Sequence, residues 1–109
     1  MTVAEFAKKY SLEVLSLPAP EREIKGGYMG DLLSWVMGRA KADQAWITIM
    51  SNQNIIAVAT LIDFACIILA EDVRLEENLI ETAKTKGVNI LTTKLPAFEV
   101  ACEICQEIK

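Results

Sequence analysis

The run Cys66-Ile67-Ile68-Leu69 constrains this chain more than any other segment, because four consecutive apolar residues leave no face for water. Such a strand has to be covered on both sides, the signature of a parallel sheet between layers of helix. The surrounding segments fit that demand. Ala45 to Met50, with Trp46 and β-branched Ile47, Thr48 and Ile49, predicts a strand, and so do Leu12 to Leu17 and Val88 to Thr92. A short extended piece around Glu23 to Lys25 precedes a glycine-rich turn.

Between the strands the apolar spacing changes to helical. Thr2 and Glu5 have capping-box spacing ahead of Val3, Phe6, Ala7 and Tyr10. Leu32, Leu33, Val36, Met37 and Ala40 predict the buried face of a second helix, with Asp31 as its cap and Trp35 off the stripe. A third helix carries Ile55, Ile56, Ala59 and Ile62, capped by Ser51 or Asn52. Glu76 to Lys86 turns Leu79, Ile80 and Ala83 inward and closes on Gly87. After Pro96, the residues Ala97, Val100, Ala101, Ile104, Cys105 and Ile108 recur at helical period. Strand and helix alternate, which predicts one α/β layered domain over 1–109 with a largely parallel sheet flanked by helices.

Composition removes several functions. Histidine is absent, so the commonest general base and metal ligand are missing. A net charge of −4 without a basic stripe argues against nucleic-acid binding. Ile55 to Ala70 is shorter than the roughly 20 residues a bilayer requires and contains Asp63, so no membrane span is expected. An N-terminus without a secretory pattern and an odd count of three cysteines point to the reducing cytoplasm. Cys66, Cys102 and Cys105 are expected to be small core residues, with no metal and no cofactor bound.

The run Gly26-Gly27-Tyr28-Met29-Gly30-Asp31 predicts a turn feeding a helix N-terminus. Ligands in open α/β sheets sit outside the carboxyl ends of the strands. Those ends are expected to display Gly26, Gly27 and Asp31, then Ser51, Asn52 and Asn54, then Glu71 and Asp72, then Thr92 and Thr93. These groups suit a small polar ligand such as a nucleotide better than covalent chemistry. Asp31 would repel a phosphate at the helix terminus, and Ser34, with no activating base, is expected to pack against the sheet. Tyr28, Met29 and Trp35 are expected to form an apolar patch used in a homodimer.

The blocks Lys25-Gly26-Gly27-Tyr28-Met29-Gly30-Asp31-Leu32-Leu33-Ser34, Trp46-Ile47-Thr48-Ile49, Asn54-Ile55-Ile56-Ala57-Val58-Ala59, Val88-Asn89-Ile90-Leu91-Thr92-Thr93 and Phe98-Glu99-Val100-Ala101 occur in this order. In them the chain resembles the stand-alone DRTGG-domain proteins. The resemblance implies a small α/β domain related to the middle part of some phosphotransacetylases and to the N-terminal domain of HPr kinase/phosphorylase. It implies a regulatory or interaction module, as beside CBS domains in regulated pyrophosphatases, with possible partners in hydrogenase or serine-kinase-like systems. The name-giving Asp-Arg-Thr-Gly-Gly is absent, and the corresponding loop is Ser51-Asn52-Gln53-Asn54, which offers neutral hydrogen bonds only.

The expectation is a non-catalytic cytoplasmic module that senses a small polar ligand, binds a partner, or both. The alternatives are a pure interaction subunit without a ligand and an enzyme of unrecognised chemistry.

Overall fold

A computed structural model describes residues 1–108. Helix α1 (Val3–Lys9) opens on the expected capping box, with the Thr2 hydroxyl accepting from the Glu5 amide and the Glu5 carboxylate accepting from the Thr2 amide. Then follow β1 (Glu13–Ser16), β2 (Gly26–Met29), α2 (Leu33–Arg39), β3 (Gln44–Thr48), α3 (Asn54–Ile62), β4 (Cys66–Leu69), α4 (Glu77–Lys86), β5 (Ile90–Thr92) and α5 (Ala97–Glu107). The five strands form one sheet in the order β1-β5-β4-β3-β2, with β2 to β5 mutually parallel and β1 antiparallel to β5.

From β2 to β5 each strand is added beside its predecessor, so the right-handed crossover rule sends α2, α3 and α4 to the same face. The other face is left to α1 and α5. Strand alternation divides the core accordingly. Ala45, Ile47, Cys66, Ile68 and Leu91 pack with Phe6, Val100 and Ile104 on the α1/α5 side. Trp46, Ile67, Leu69 and Ile90 pack with Val36, Ile55, Ala59 and Ala83 on the other. All four residues of β4 are buried, as an apolar run in a central strand must be. Gly87 ends α4 at φ 77°, a left-handed conformation that glycine adopts without steric cost.

Three local expectations are corrected. The glycine run is not a turn: Gly26 to Met29 pair with Gln44 to Ile47 and form an edge strand. Gly27 suits that position because a Cβ there would stand 3.2 Å from Ile104 Cγ2 on α5. Of the predicted α2 face only Val36 is fully buried; Leu32 and Met37 are 59% and 46% exposed, and Ser34 faces solvent rather than the sheet. The helix has seven residues and lies at the sheet edge, so one narrow stripe meets the core. Cys102 and Cys105 are exposed, whereas Cys66 is a core residue whose thiol is pushed up to about 12 by burial.

On α5, Glu103 Oε1 is enclosed without a hydrogen-bond partner. Burial, and then repulsion from Glu99, push its carboxyl above the ordinary value of 4.5. The folded state therefore holds this proton more tightly than the unfolded chain does. The resulting stabilisation is complete below the unfolded value and is lost as pH rises through the folded one. Glu103→Gln is expected to unfold at a higher temperature than the parent at about pH 7 and at nearly the same temperature below about pH 4. Thermal melts across that range check this; a variant less stable at neutral pH would contradict it.

Candidate ligand-facing edge

The carboxyl ends of the parallel strands converge on one edge of the domain, where α3 and α4 begin. Because the parallel strands never reverse their order, no crevice opens between diverging strands of the kind that holds nucleotides in doubly wound sheets. Cavities at this edge lie instead between loops and helix starts.

Past β2, Asp31 does not cap α2, whose N-cap position is held by Leu32 without a side-chain bond. Its carboxylate accepts instead from the Thr48 hydroxyl at 2.7 Å and the Ile49 amide at 3.0 Å. Asp31 therefore ties the end of β2 to the end of β3, satisfying an amide just past the strand. Past β3, Asn52 Oδ1 accepts from the Asn54 amide at 2.9 Å and holds the first turn of α3. Ser51, Asn52 and Gln53 line a shallow, open cavity of about 460 Å³ whose other side is Glu76, Asn78 and Leu79 at the start of α4.

Past β4, Glu71 and Asp72 are both left-handed, at φ 59° and 60°. Such a conformation costs a non-glycine residue of order 1–3 kcal/mol and persists where neighbours fix it. Here the Glu71 amide donates to Leu95 O at 2.9 Å and the Asp72 amide to Thr93 O at 2.8 Å, stitching this loop to the one after β5. Thr92 is buried, with its hydroxyl donating to Val73 O at 2.7 Å. Thr93 is half-buried, and its hydroxyl accepts from the Leu95 amide at 3.2 Å.

Thr92 and Thr93 belong to a second cavity, of about 340 Å³, beside Lys94, Asp72, Arg74 and Glu13. Arg74 grips Glu13 through both guanidinium ends at 2.6 Å, which holds the Glu13 carboxyl below its usual range. The charge in this cavity is thus largely paired internally. A further cavity, about 570 Å³, is a groove between α3 and α4 that reaches Gln53 and Asn54 and is walled by Ile56, Ala57 and Leu61 together with Thr60, Thr82 and Lys86.

The structure thus brings Ser51 and Asn52 together, places Asp31 at the neighbouring strand end, and puts Asn54 on a groove rim. Thr92 and Thr93 lie in a separate cavity two strands away. Gly26 and Gly27 do not join them: Gly26 is in register with Gln44, the first residue of β3, so both glycines sit toward the amino end of the edge strand. Tyr28 and Met29 point to opposite faces of β2, Tyr28 into the Trp46 cluster and Met29 beside α5. Trp35 is 55% exposed, with the Arg39 guanidinium 4.0 Å above its ring. Sequence reasoning did not place Glu76 and Asn78 beside this loop, because in the sequence they read as the solvated start of a helix. Among the described residues no cluster of three potential metal-ligating side chains occurs, and no helix is long and apolar enough to cross a membrane.

No curated protein matches the sequence. The fold is shared with part of a crystal structure of the CBS and DRTGG domains of the regulatory region of Clostridium perfringens pyrophosphatase complexed with its activator, diadenosine tetraphosphate. The TM-score is 0.75 at 15% identity, over 96% of this chain and 46% of that one, so this chain spans about half of that structure. The family model of the DRTGG domain matches residues 31–106, from the strap residue Asp31 to the last turns of α5, and the chain belongs to the DRTGG domain family.

Proposed function

We propose that this chain is a non-catalytic regulatory module that takes a small polar ligand, a nucleotide in the first instance, at the carboxyl edge of its parallel strands. The observation that carries this reading is the cavity between the starts of α3 and α4. There Ser51, Asn52, Gln53 and Asn78 offer neutral donors and acceptors beside the Glu76 carboxylate. Asp31 and Asn54 extend the polar surface around it, and Thr93 lies in the separate cavity past β5. Gly26, Gly27 and the internally bonded Thr92 hydroxyl stand outside it. The activator named for the pyrophosphatase region supports a nucleotide as the first ligand class to test.

The test is a thermal-shift series with adenosine mono-, di- and triphosphate and diadenosine tetraphosphate. A ligand at 100 times its dissociation constant stabilises the native state by about 2.7 kcal/mol. That shift is expected in the parent chain and should shrink in Ser51→Ala combined with Asn78→Ala. If no compound moves the melting temperature, the ligand reading is wrong.

A second reading, an interaction subunit without a ligand, is favoured by Leu32, Trp35 and Met37, which α2 leaves exposed. The module acts in the cytoplasm as a homodimer in either reading. The family resemblance supports a partner from a hydrogenase or serine-kinase-like system.

A further inference from the structure

Helix α5 carries more apolar surface than the core uses. At 100° per residue, Ala97, Val100 and Ile104 point to the sheet, while Phe98, Ala101, Cys102, Cys105 and Ile108 occupy an adjoining arc of about 120°. Phe98 is 72% exposed, and Cys102, Cys105 and Ile108 also face solvent. Met29 continues this surface across a groove of about 130 Å³ lined by Gly27, Ala101, Ile104, Cys105 and Ile108. No charged side chain lines that groove. Immediately beside it lies the open edge of β2, which among the described strands pairs only with β3.

We infer that this surface is covered by a second copy of the chain, with β2 pairing to β2 and α5 packing on α5 about one two-fold axis normal to the sheet. The inference rests on the homodimer reading above and specifies its geometry. Such an axis makes both pairs antiparallel, and the same surface serves both copies. The spacings then agree without adjustment. With strands ~4.8 Å apart, the axis passes ~2.4 Å outside β2, and α5, seated over β2 and β3, lies roughly as far inside it, so the two α5 axes fall ~10 Å apart. Packed helices stand about 8–10 Å apart. An unrelated partner would have to satisfy the strand edge and the helix stripe by separate means.

The register follows from the same contacts. Gly27 lies against Ile104, so pairing centred on Gly27, each copy's Gly27 opposite the other's, sets the axis level with Ile104. With a rise of about 1.5 Å per residue, Cys105 then stands ~3 Å along the helix axis from its counterpart Cys105 and ~1.5 Å from the counterpart Cys102. Thiols from the two copies meet across the dyad.

The test combines light scattering after size exclusion with diamide oxidation of Cys102→Ser, which leaves Cys105 as the one exposed thiol. Diamide takes two electrons and two protons from two thiols, leaving one S–S bond and the corresponding hydrazine. The expected results are a dimer mass in solution and conversion of most of the chain to a covalent dimer on a non-reducing gel. Crosslinking should be lost when Cys105 is also changed to Ser. Cys105→Glu, which sets like charges across the axis at an exposed position, should raise the dimer dissociation constant at least tenfold while leaving the circular dichroism spectrum unchanged. A dimer that neither crosslinks through Cys105 nor responds to Cys105→Glu would overturn this geometry and leave the homodimer reading intact. A chain that stays monomeric at every concentration would overturn both.

Discussion

Trp46→Ala is expected to lower the stability of this domain by about 3–5 kcal/mol, the range for removing a large aromatic side chain from a packed core. Trp46 is wholly buried on β3, one strand in from the sheet edge. Its ring stacks on Phe64 with centroids 5.3 Å apart, and its indole N–H donates to Gly30 O at 3.0 Å. Truncation therefore empties the centre of the α2/α3/α4 side and frees a carbonyl next to Asp31. Against a typical total of about 5–15 kcal/mol, that loss removes a fifth or more of the folding free energy. A urea titration followed by circular dichroism measures it. Trp46→Phe, which keeps most of the volume and loses the hydrogen bond, should fall well short of the alanine effect.

Asn89→Ala is expected to cost nearly as much although it removes fewer atoms. Asn89 is buried at the start of the last parallel strand, and its amide group makes three main-chain bonds. Its Oδ1 accepts from the Ala19 amide at 2.9 Å, and its Nδ2 donates to Ala19 O at 2.7 Å and Ala65 O at 3.0 Å. The side chain thereby fastens the Pro18-Ala19-Pro20 turn to the sheet. Each buried group left without a partner costs about 1–3 kcal/mol. Ala19 is only half-buried, so water recovers part of this, and the expected net loss is about 3 kcal/mol. Asn89→Asp should be worse than alanine at neutral pH, because it sets a carboxylate oxygen against two carbonyls in a buried site. Equal stability of Asn89→Asp and the parent chain would show that the turn is held by something else.

Asn89 marks where legibility of the fold ended. In the sequence it stands inside an apolar strand, where a polar residue gives no hint of a partner 70 positions earlier. The helices, and all the strands but β2, were readable. Cys66 to Leu69 required cover on both faces, Thr2 and Glu5 required each other, and Gly87 required a helix to end. The polar loop after β3 was legible too: it was expected at a strand end and lies there, around Ser51 and Asn52. The other side of its cavity was not, because Glu76 and Asn78 read simply as the solvated beginning of a helix.

The sequence by itself determined the class of every segment but Gly26 to Met29, the α/β layering and the family, because these depend on patterns within a few residues. Only the tertiary structure decided the rest. Asp31 was free to cap its own helix, but the Thr48 hydroxyl and Ile49 amide at the next strand end offered two bonds where the helix offered none that formed. Gly26 and Gly27 became an edge strand because Gln44 and Ala45 supplied a ladder, with Ile104 resting where a Cβ would have stood. Cys102 and Cys105 have the composition of a core and were left outside it because α5 covers the sheet edge with one flank only. In each case the deciding partner lies far along the chain, and local periodicity carries no information about it.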